Sequence, residues 1–417
     1  MKLRTRLAGL AGIAGLTLAT LFAPAALGQP APIKIGFTMS QTGSLAATGK
    51  AHLIAMQMWA DDTNARGGLL GRKVELVVYD DQSNGSQVPG LYSKLLDVDK
   101  VDVVVSPYGT NMTAPAMPTI MQRNMTFMTV FNTGTNDKFK YDRYFGITPS
   151  GADSIPEFSR GYFAIAEKMN PKPKTIALVA ADAEFAQNAV TGAREHAKKA
   201  GYKIVYDKSY PPSTVDYSPI LRAVQATNPD IIFIASYPQD SVGMVRAANE
   251  IKLKARMVGG GMIGLQFGGL KIALGENLNG FVGYDVYSPQ ATMQFPGLNE
   301  MLERYRPLAA KAGADPIGIY GPPYAYAEMQ VIGDAIKGSG GTDQGKLNDY
   351  MKSHTFDTVV GKIKFDRAGE WEKPRLIYVQ YQGVKGNDPE QFKKAGVQVI
   401  LYPPEYKSGD LKEPFTR

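Results

Sequence analysis

Apolar and polar positions along this chain follow first a strand rhythm, then a helix rhythm, and the two keep alternating. Ile33-Lys34-Ile35-Gly36-Phe37 reads as a short strand. A Gly/Ser/Thr loop follows, then a helical stretch over residues 49–64 carrying Leu53, Ile54, Met56, Met58 and Trp59, which Gly67-Gly68 ends. Residues 74–79 predict a second strand, 86–98 a second helix and 101–105 a third strand. The pattern restarts further on: strand 175–180, helix 187–200, strand 203–207, helix 217–226 with Ile220, Leu221 and Val224, strand 231–235 and helix 240–251. Met257-Val258 opens one more strand before a glycine run. Alternation of this kind predicts an α/β protein with parallel sheets covered by helices on both faces. There are two such units in tandem, without the 20–50-residue period of a solenoid.

Three segments are candidates for crossings between the units: residues 144–150, 280–284 and 358–366. Helical sequence lies after the second, over residues 297–312 and 324–337. Three crossings would make each lobe discontinuous in sequence and joined by a three-strand hinge. The expected division is lobe I from residues 29–147 and 283–356, and lobe II from 148–282 and 357–417.

Composition changes this picture at the N-terminus. The chain has 417 residues, enough for two domains, with 44% apolar and 20% charged residues. Lys2, Arg4 and Arg6 precede an apolar run from Leu7 to about Phe22, and Ala26-Leu27-Gly28 puts small residues before a cut after Gly28. Residues 1–28 thus read as a secretory signal peptide, too short in its apolar run for a membrane span. There is no cysteine, so no disulfide, no thiolate metal site and no lipid-bearing residue at the cleavage point. The expected mature protein is soluble in the periplasm and not lipidated. Its net charge of +7 falls to +4 without the three leader cations. No basic run interleaved with aromatics points to nucleic acid.

Catalytic chemistry is not legible. His52, His196 and His354 fall in no metal-ligand spacing; His52 opens an amphipathic helix, His196 lies near Lys198 and Lys199 facing solvent, and His354 sits in a loop. There is no GxSxG elbow, phosphate loop or GxGxxG after the first strand. Asp80-Asp81 ends a strand as a solvated turn or helix cap; a cation is the alternative. No cofactor, metal or enzymatic activity is expected.

What remains are polar loops at the C-terminal ends of strands, where open α/β sheets bind ligands. One is residues 38–49. Another is SPYGTNMTAPA, residues 106–116, in which Thr113 reads as a helix cap with a proline in the first turn. A third, residues 131–136, follows a strand over 125–130; residues 181–185 and Tyr237-Pro238-Gln239-Asp240 hold the equivalent places in the second unit. Thr110 and Thr135 offer hydroxyl donors, and free N–H groups at helix starts favour an anion, so the loops suit a carboxylate.

The stretches IKIGFTMSQTG, TNARGGLLGRKVELVVYDD, the TAPA helix start, NTGTN and GKIKFDRAGE, in this order behind a leader, resemble the solute-binding proteins of branched-chain amino acid ABC transporters. The resemblance spans nearly the whole mature chain. It implies the type I periplasmic binding fold, two Rossmann-like lobes that close on a small solute and deliver it to permease subunits in the inner membrane, as a monomer. It implies that a ligand carboxylate meets Thr110 and the backbone between Tyr108 and Asn111, with Thr133 and Thr135 adding donors, and that Phe185 and Tyr237 reach in from the far lobe. In amino acid binders of this family a glutamate pairs the α-ammonium; Gly261 stands at that position here, leaving volume. An ammonium closed in without a counter-charge pays a large desolvation penalty, unless Asp182, Glu184 or Asp240 substitutes. With Tyr108, Phe131, Phe185 and Tyr237 as walls, the expected ligand is an aromatic acid such as a benzoate or phenylpropenoid acid. The alternatives are a branched-chain or other amino acid, a short amide or urea, a ligand-sensing role, or an exported hydrolase.

Overall fold

A computed structural model of the chain describes residues 30–415, so the leader read at residues 1–28 lies outside the described residues. In chain order the elements are β1 (Ile33–Thr38), α1 (Ala46–Ala65), β2 (Val74–Tyr79), α2 (Val88–Asp97), β3 (Val103–Tyr108), α3 (Thr110–Gln122), β4 (Phe127–Val130), α4 (Thr135–Phe139) and β5 (Tyr144–Gly146). Then come α5 (Ser154–Ala166), β6 (Thr175–Ala181), α6 (Glu184–Lys199), β7 (Lys203–Tyr210), α7 (Ser218–Ala226), β8 (Ile231–Ser236), α8 (Pro238–Glu250), β9 (Met257–Met262), α9 (Gly268–Leu274) and β10 (Phe281–Asp285). The remainder is α10 (Leu298–Ala312), α11 (Gly321–Ser339), α12 (Gln344–Ser353), β11 (Thr355–Thr358), β12 (Gly361–Lys364), β13 (Ile377–Tyr381) and β14 (Gln398–Tyr402).

The first sheet runs β2-β1-β3-β4-β5 and is parallel throughout. The second repeats that order as β7-β6-β8-β9-β10, again parallel. It is extended past β10 by β13 and β14, both antiparallel to their neighbours. β3, β8 and β9 are buried at every position, as expected where helices cover both faces of a parallel sheet. The glycine run is inside β9 rather than after it: a Cβ on Gly259 would lie 1.8 Å from the Val282 carbonyl oxygen, so the close approach of β10 requires the missing side chain.

Several expectations are corrected. Residues 154–166 form α5, which the pattern reading left without an element. Thr113 does not cap α3. The helix starts three residues earlier, behind Gly109, and Thr113 donates its hydroxyl to the Pro107 carbonyl at 3.2 Å. Among the described residues, Asp80 and Asp81 belong to no group of three or more acidic or imidazole side chains placed to hold a metal ion. Asp81 accepts from the Thr38 and Ser40 hydroxyls and Asp80 from Thr42 and the Gln41 N–H, which pins the loop after β1 to the end of β2. His196 is half-buried, stacked on Phe163 and within 2.7 Å of the Pro156 carbonyl oxygen.

The chain leaves the first sheet after β5 and the second after β10. α11 then packs beside α1 and β4, and the chain returns to the second sheet before β13. The three connecting segments meet at Arg375. Its backbone N–H donates to the Pro149 carbonyl (2.7 Å), and its guanidinium donates to the Val360 carbonyl (2.6 Å) and the Tyr324 hydroxyl (3.2 Å). The Tyr324 hydroxyl donates in turn to Val286 (3.3 Å). At the end of β10, the fully buried Asp285 faces Lys271 of α9 at 3.7 Å, with Gln398 bonded to both.

Candidate functional site

In both sheets the strand order reverses next to the first strand, between β1 and β3 and between β6 and β8. Such switch points are where doubly wound sheets open a crevice at their carboxyl ends. The loops after these strands face each other and enclose a cavity lined by fifteen residues, among them Leu45 after β1, Tyr108 to Asn111 after β3, Phe185 after β6 and Tyr237-Pro238 after β8. Phe131 and Thr133 come from the loop after β4, Thr148 from the first connecting segment, and Phe158, Ile263, Tyr284 and Tyr320 complete the wall.

The turn from β3 into α3 takes one residue, Gly109, at φ +87°, a conformation open to glycine at no steric cost. That abrupt turn aims the start of α3 at the cavity. Met112 and Thr113 N–H groups bond back to the Gly109 carbonyl. The Thr110 and Asn111 N–H groups are left as helix-start donors. The Thr110 hydroxyl accepts from the Thr133 N–H at 3.0 Å, and the Thr148 hydroxyl accepts from the Asn132 N–H at 3.0 Å. Each hydroxyl therefore keeps its own proton for something else, and both line the cavity. Phe131, between them in the loop, sits at φ +54°. For a bulky residue that is a strained backbone of the sort found at functional sites.

The two faces are joined by hydrogen bonds. The Asn111 amide oxygen accepts from the Tyr237 hydroxyl (2.6 Å) and from the Phe185 N–H (3.2 Å), and the Asn188 amide donates to the Thr133 carbonyl (2.8 Å). Aromatic rings fill most of what lies between: Phe131 stacks on Tyr320 at 4.4 Å, Phe158 leans on Tyr284 at 4.4 Å, and Phe185 contacts both Phe158 and Tyr237 edge-on. The void left is about 30 Å³, room for about two waters.

Of the nine residues expected at a site, Tyr108, Thr110, Asn111, Phe131, Thr133, Phe185 and Tyr237 line this cavity. Thr135 does not; its buried hydroxyl donates to the Asn132 amide oxygen at 3.1 Å, holding the loop. Gly261 does not line it either, and it leaves no free volume: a Cβ there would lie 3.1 Å from Phe158, whose ring occupies the space. Thr148, Phe158, Tyr284 and Tyr320 are among the lining residues that sequence reasoning missed. Thr148 carried a signal, a hydroxyl in the first crossing segment. The other three come from α5, β10 and the residue before α11, and only the tertiary fold brings them together.

The electrostatics are one-sided. Among the described residues the cavity lining contains no Asp, Glu, Lys, Arg or His. Asp182 is exposed. Asp240 is engaged by the Tyr210 and Tyr217 hydroxyls and the Tyr237 N–H, and burial pushes its carboxyl above the usual range. His52 lies behind the wall, edge-on to Tyr108 at 4.9 Å, with Nδ1 2.9 Å from the Thr48 carbonyl oxygen. Burial lowers its pKa to about 4, so it is neutral at physiological pH. The cavity thus offers N–H and O–H donors and ring faces, and no formal charge.

Residues 32–376 match the family described as periplasmic binding protein, and the chain belongs to that family. Among named relatives, Leu/Ile/Val-binding protein homolog 8 of Brucella abortus is 26% identical over 89% of this chain and 93% of its own. Among solved structures, a leucine-binding protein of Thermotoga maritima superposes with a TM-score of 0.73 at 19% identity, covering 84% of this chain and 96% of that one. An ABC-transporter solute-binding protein of Rhodopseudomonas palustris, solved with 3,4-dihydroxybenzoic acid, gives 0.69 at 18% identity, covering 85% and 94%. The α/β architecture is that of the type I periplasmic binding proteins.

Proposed function

We propose that this protein captures a small organic acid without an amino group, with an aromatic monocarboxylate as the favoured solute, and delivers it to the permease of an ABC uptake transporter. One observation carries the reading: a lining with no acidic side chain, in which the principal acceptor, the Asn111 amide oxygen, is already bonded twice. An ammonium group enclosed there would be desolvated with no carboxylate to pair it. A carboxylate has partners: the Thr110 and Thr148 hydroxyl protons and the first N–H groups of α3, where the helix dipole favours negative charge. Phe131, Phe158, Phe185 and Tyr237 then cover a flat ring. The dihydroxybenzoic acid held by the Rhodopseudomonas protein supports the same class of ligand on this fold.

In this reading the part of the chain around the first sheet and the part around the second are the two lobes, hinged at the three connecting segments. Solute shifts them toward the closed arrangement that the permease reads. The names of the sequence relatives favour a second reading, a branched-chain amino acid. A thermal-shift screen of the purified protein against benzoates, phenylpropenoid acids, amides and amino acids separates the two, because a ligand of the native state raises the melting temperature. Stabilisation by aromatic acids and not by leucine or valine is expected; the reverse pattern overturns the acid reading.

A further inference from the structure

We propose that the cavity holds a second polar subsite, a row of three tyrosine hydroxyls, and that it selects acids whose ring carries a hydroxyl group, that is, phenolic acids. This rests on the aromatic-acid reading above and narrows it. The row consists of Tyr108 at the end of β3, Tyr320 directly before α11 and Tyr284 in β10, so both sheets contribute. The hydroxyls of Tyr284 and Tyr320 are 2.8 Å apart, and that of Tyr108 completes the row beside Tyr320. All three residues line the cavity.

Aromatic rings cover much of the row. Phe131 stacks on Tyr320, Phe267 meets it edge-on at 5.3 Å, and Phe158 covers Tyr284. His52 beside Tyr108 does not take its proton, since its Nε2 has no partner. Burial pushes all three phenols up, so each keeps its hydrogen and acts as donor and acceptor at once. Three protons are available and at most two are used between neighbours. At least one hydroxyl therefore has an unused proton, and the row has unused lone pairs, in a closed site where unmet polar groups are costly. A hydroxyl on the ligand ring satisfies both needs, accepting one hydrogen and donating another. A bare ring leaves the row as it is and covers it. Sites built to bond a substrate hydroxyl discriminate strongly against the analogue lacking it.

The test is calorimetric titration of the full-length mature protein with benzoate, 3-hydroxybenzoate, 4-hydroxybenzoate and 4-methoxybenzoate, repeated for Tyr284→Phe and Tyr320→Phe. Melting temperatures establish that the variants are folded. At least one hydroxybenzoate is expected to bind tenfold or more tighter than benzoate, with 4-methoxybenzoate on the benzoate side. In at least one Phe variant the ratio is expected to fall below about threefold, whatever the absolute affinities become. Equal binding of benzoate and both hydroxybenzoates, or a preference that survives in both variants, overturns the subsite and leaves the acid reading standing. Binding of none of the four acids overturns the acid reading and the subsite with it.

Discussion

Tyr237→Phe isolates a single link between the two faces of the cleft. The substitution keeps the ring, including its edge-on contact with Phe185, and removes only the hydroxyl that donates to the Asn111 amide oxygen at 2.6 Å. Asn111 retains its second donor, the Phe185 N–H. One buried neutral hydrogen bond is worth about 0.5–1.5 kcal/mol net. The ratio of closed to open protein should fall by about two- to thirteen-fold. Because apparent affinity scales with the fraction able to hold ligand closed, the loss is expected in the dissociation rate, with association left nearly unchanged. The chain contains no cysteine, so one cysteine introduced on the outer surface of each part takes a dye pair without background. Single-molecule energy transfer then reads the two populations and stopped-flow reads the rates. Identical populations in the variant, or a loss confined to association, would refute the reasoning.

Other expectations follow from the same structure. Thr148→Val removes a hydroxyl proton from the cavity and should weaken binding of an organic acid by about 1.5–3 kcal/mol; Thr135→Val, off the cavity, should not, and calorimetry of the two variants side by side checks the contrast. Asp285→Asn leaves the buried Lys271 ammonium without its charge partner and should cost about 3–5 kcal/mol of stability, read from urea unfolding. Glu328 is fully buried with both carboxyl oxygens unpartnered, and burial raises its pKa well above 4.5. The folded state therefore holds a proton that the unfolded chain releases. Its contribution is intact below about pH 4.5 and declines as pH rises, by about 1.4 kcal/mol per pH unit. Glu328→Gln should remove that decline as pH rises above 4.5, and equal shifts of the urea midpoint with pH in variant and parent would contradict it.

Strands and helices with strong periodicity were readable one by one: β2 falls on the predicted residues 74–79, and β8 and α7 lie within a residue of theirs. α5 was not, because Pro156, Gly161 and five aromatic or β-branched residues make Ser154–Ala166 a poor helix by propensity. Packing supplies what propensity lacks: Tyr378 donates to the Phe158 carbonyl, and its ring lies where a Cβ on Gly161 would stand. The antiparallel β13 and β14 were missed for a related reason, since nothing local tells which neighbour a short buried strand will choose. For the site, loops at strand ends were visible as polar clusters, and most of their residues do meet. The far wall was not visible. Phe158 occupies the space beside Gly261, a relation between positions over one hundred residues apart that no spacing rule encodes.

Two bodies strung together at three separate points would lose their relative rotations one after another. Here the three connecting segments are gathered at Arg375, through the Pro149 carbonyl, the Val360 carbonyl and, by way of the Tyr324 hydroxyl, the Val286 carbonyl. The guanidinium is gripped between the Phe295 and Trp371 rings. Strings tied in one knot leave rotation about the knot free. The Tyr324 ring also lies 5.4 Å from Phe131, in the wall of the cavity. In the two-lobe reading proposed above, whatever turns Phe131 applies its torque at the pivot itself, where the smallest displacement swings the far edges of both sheets.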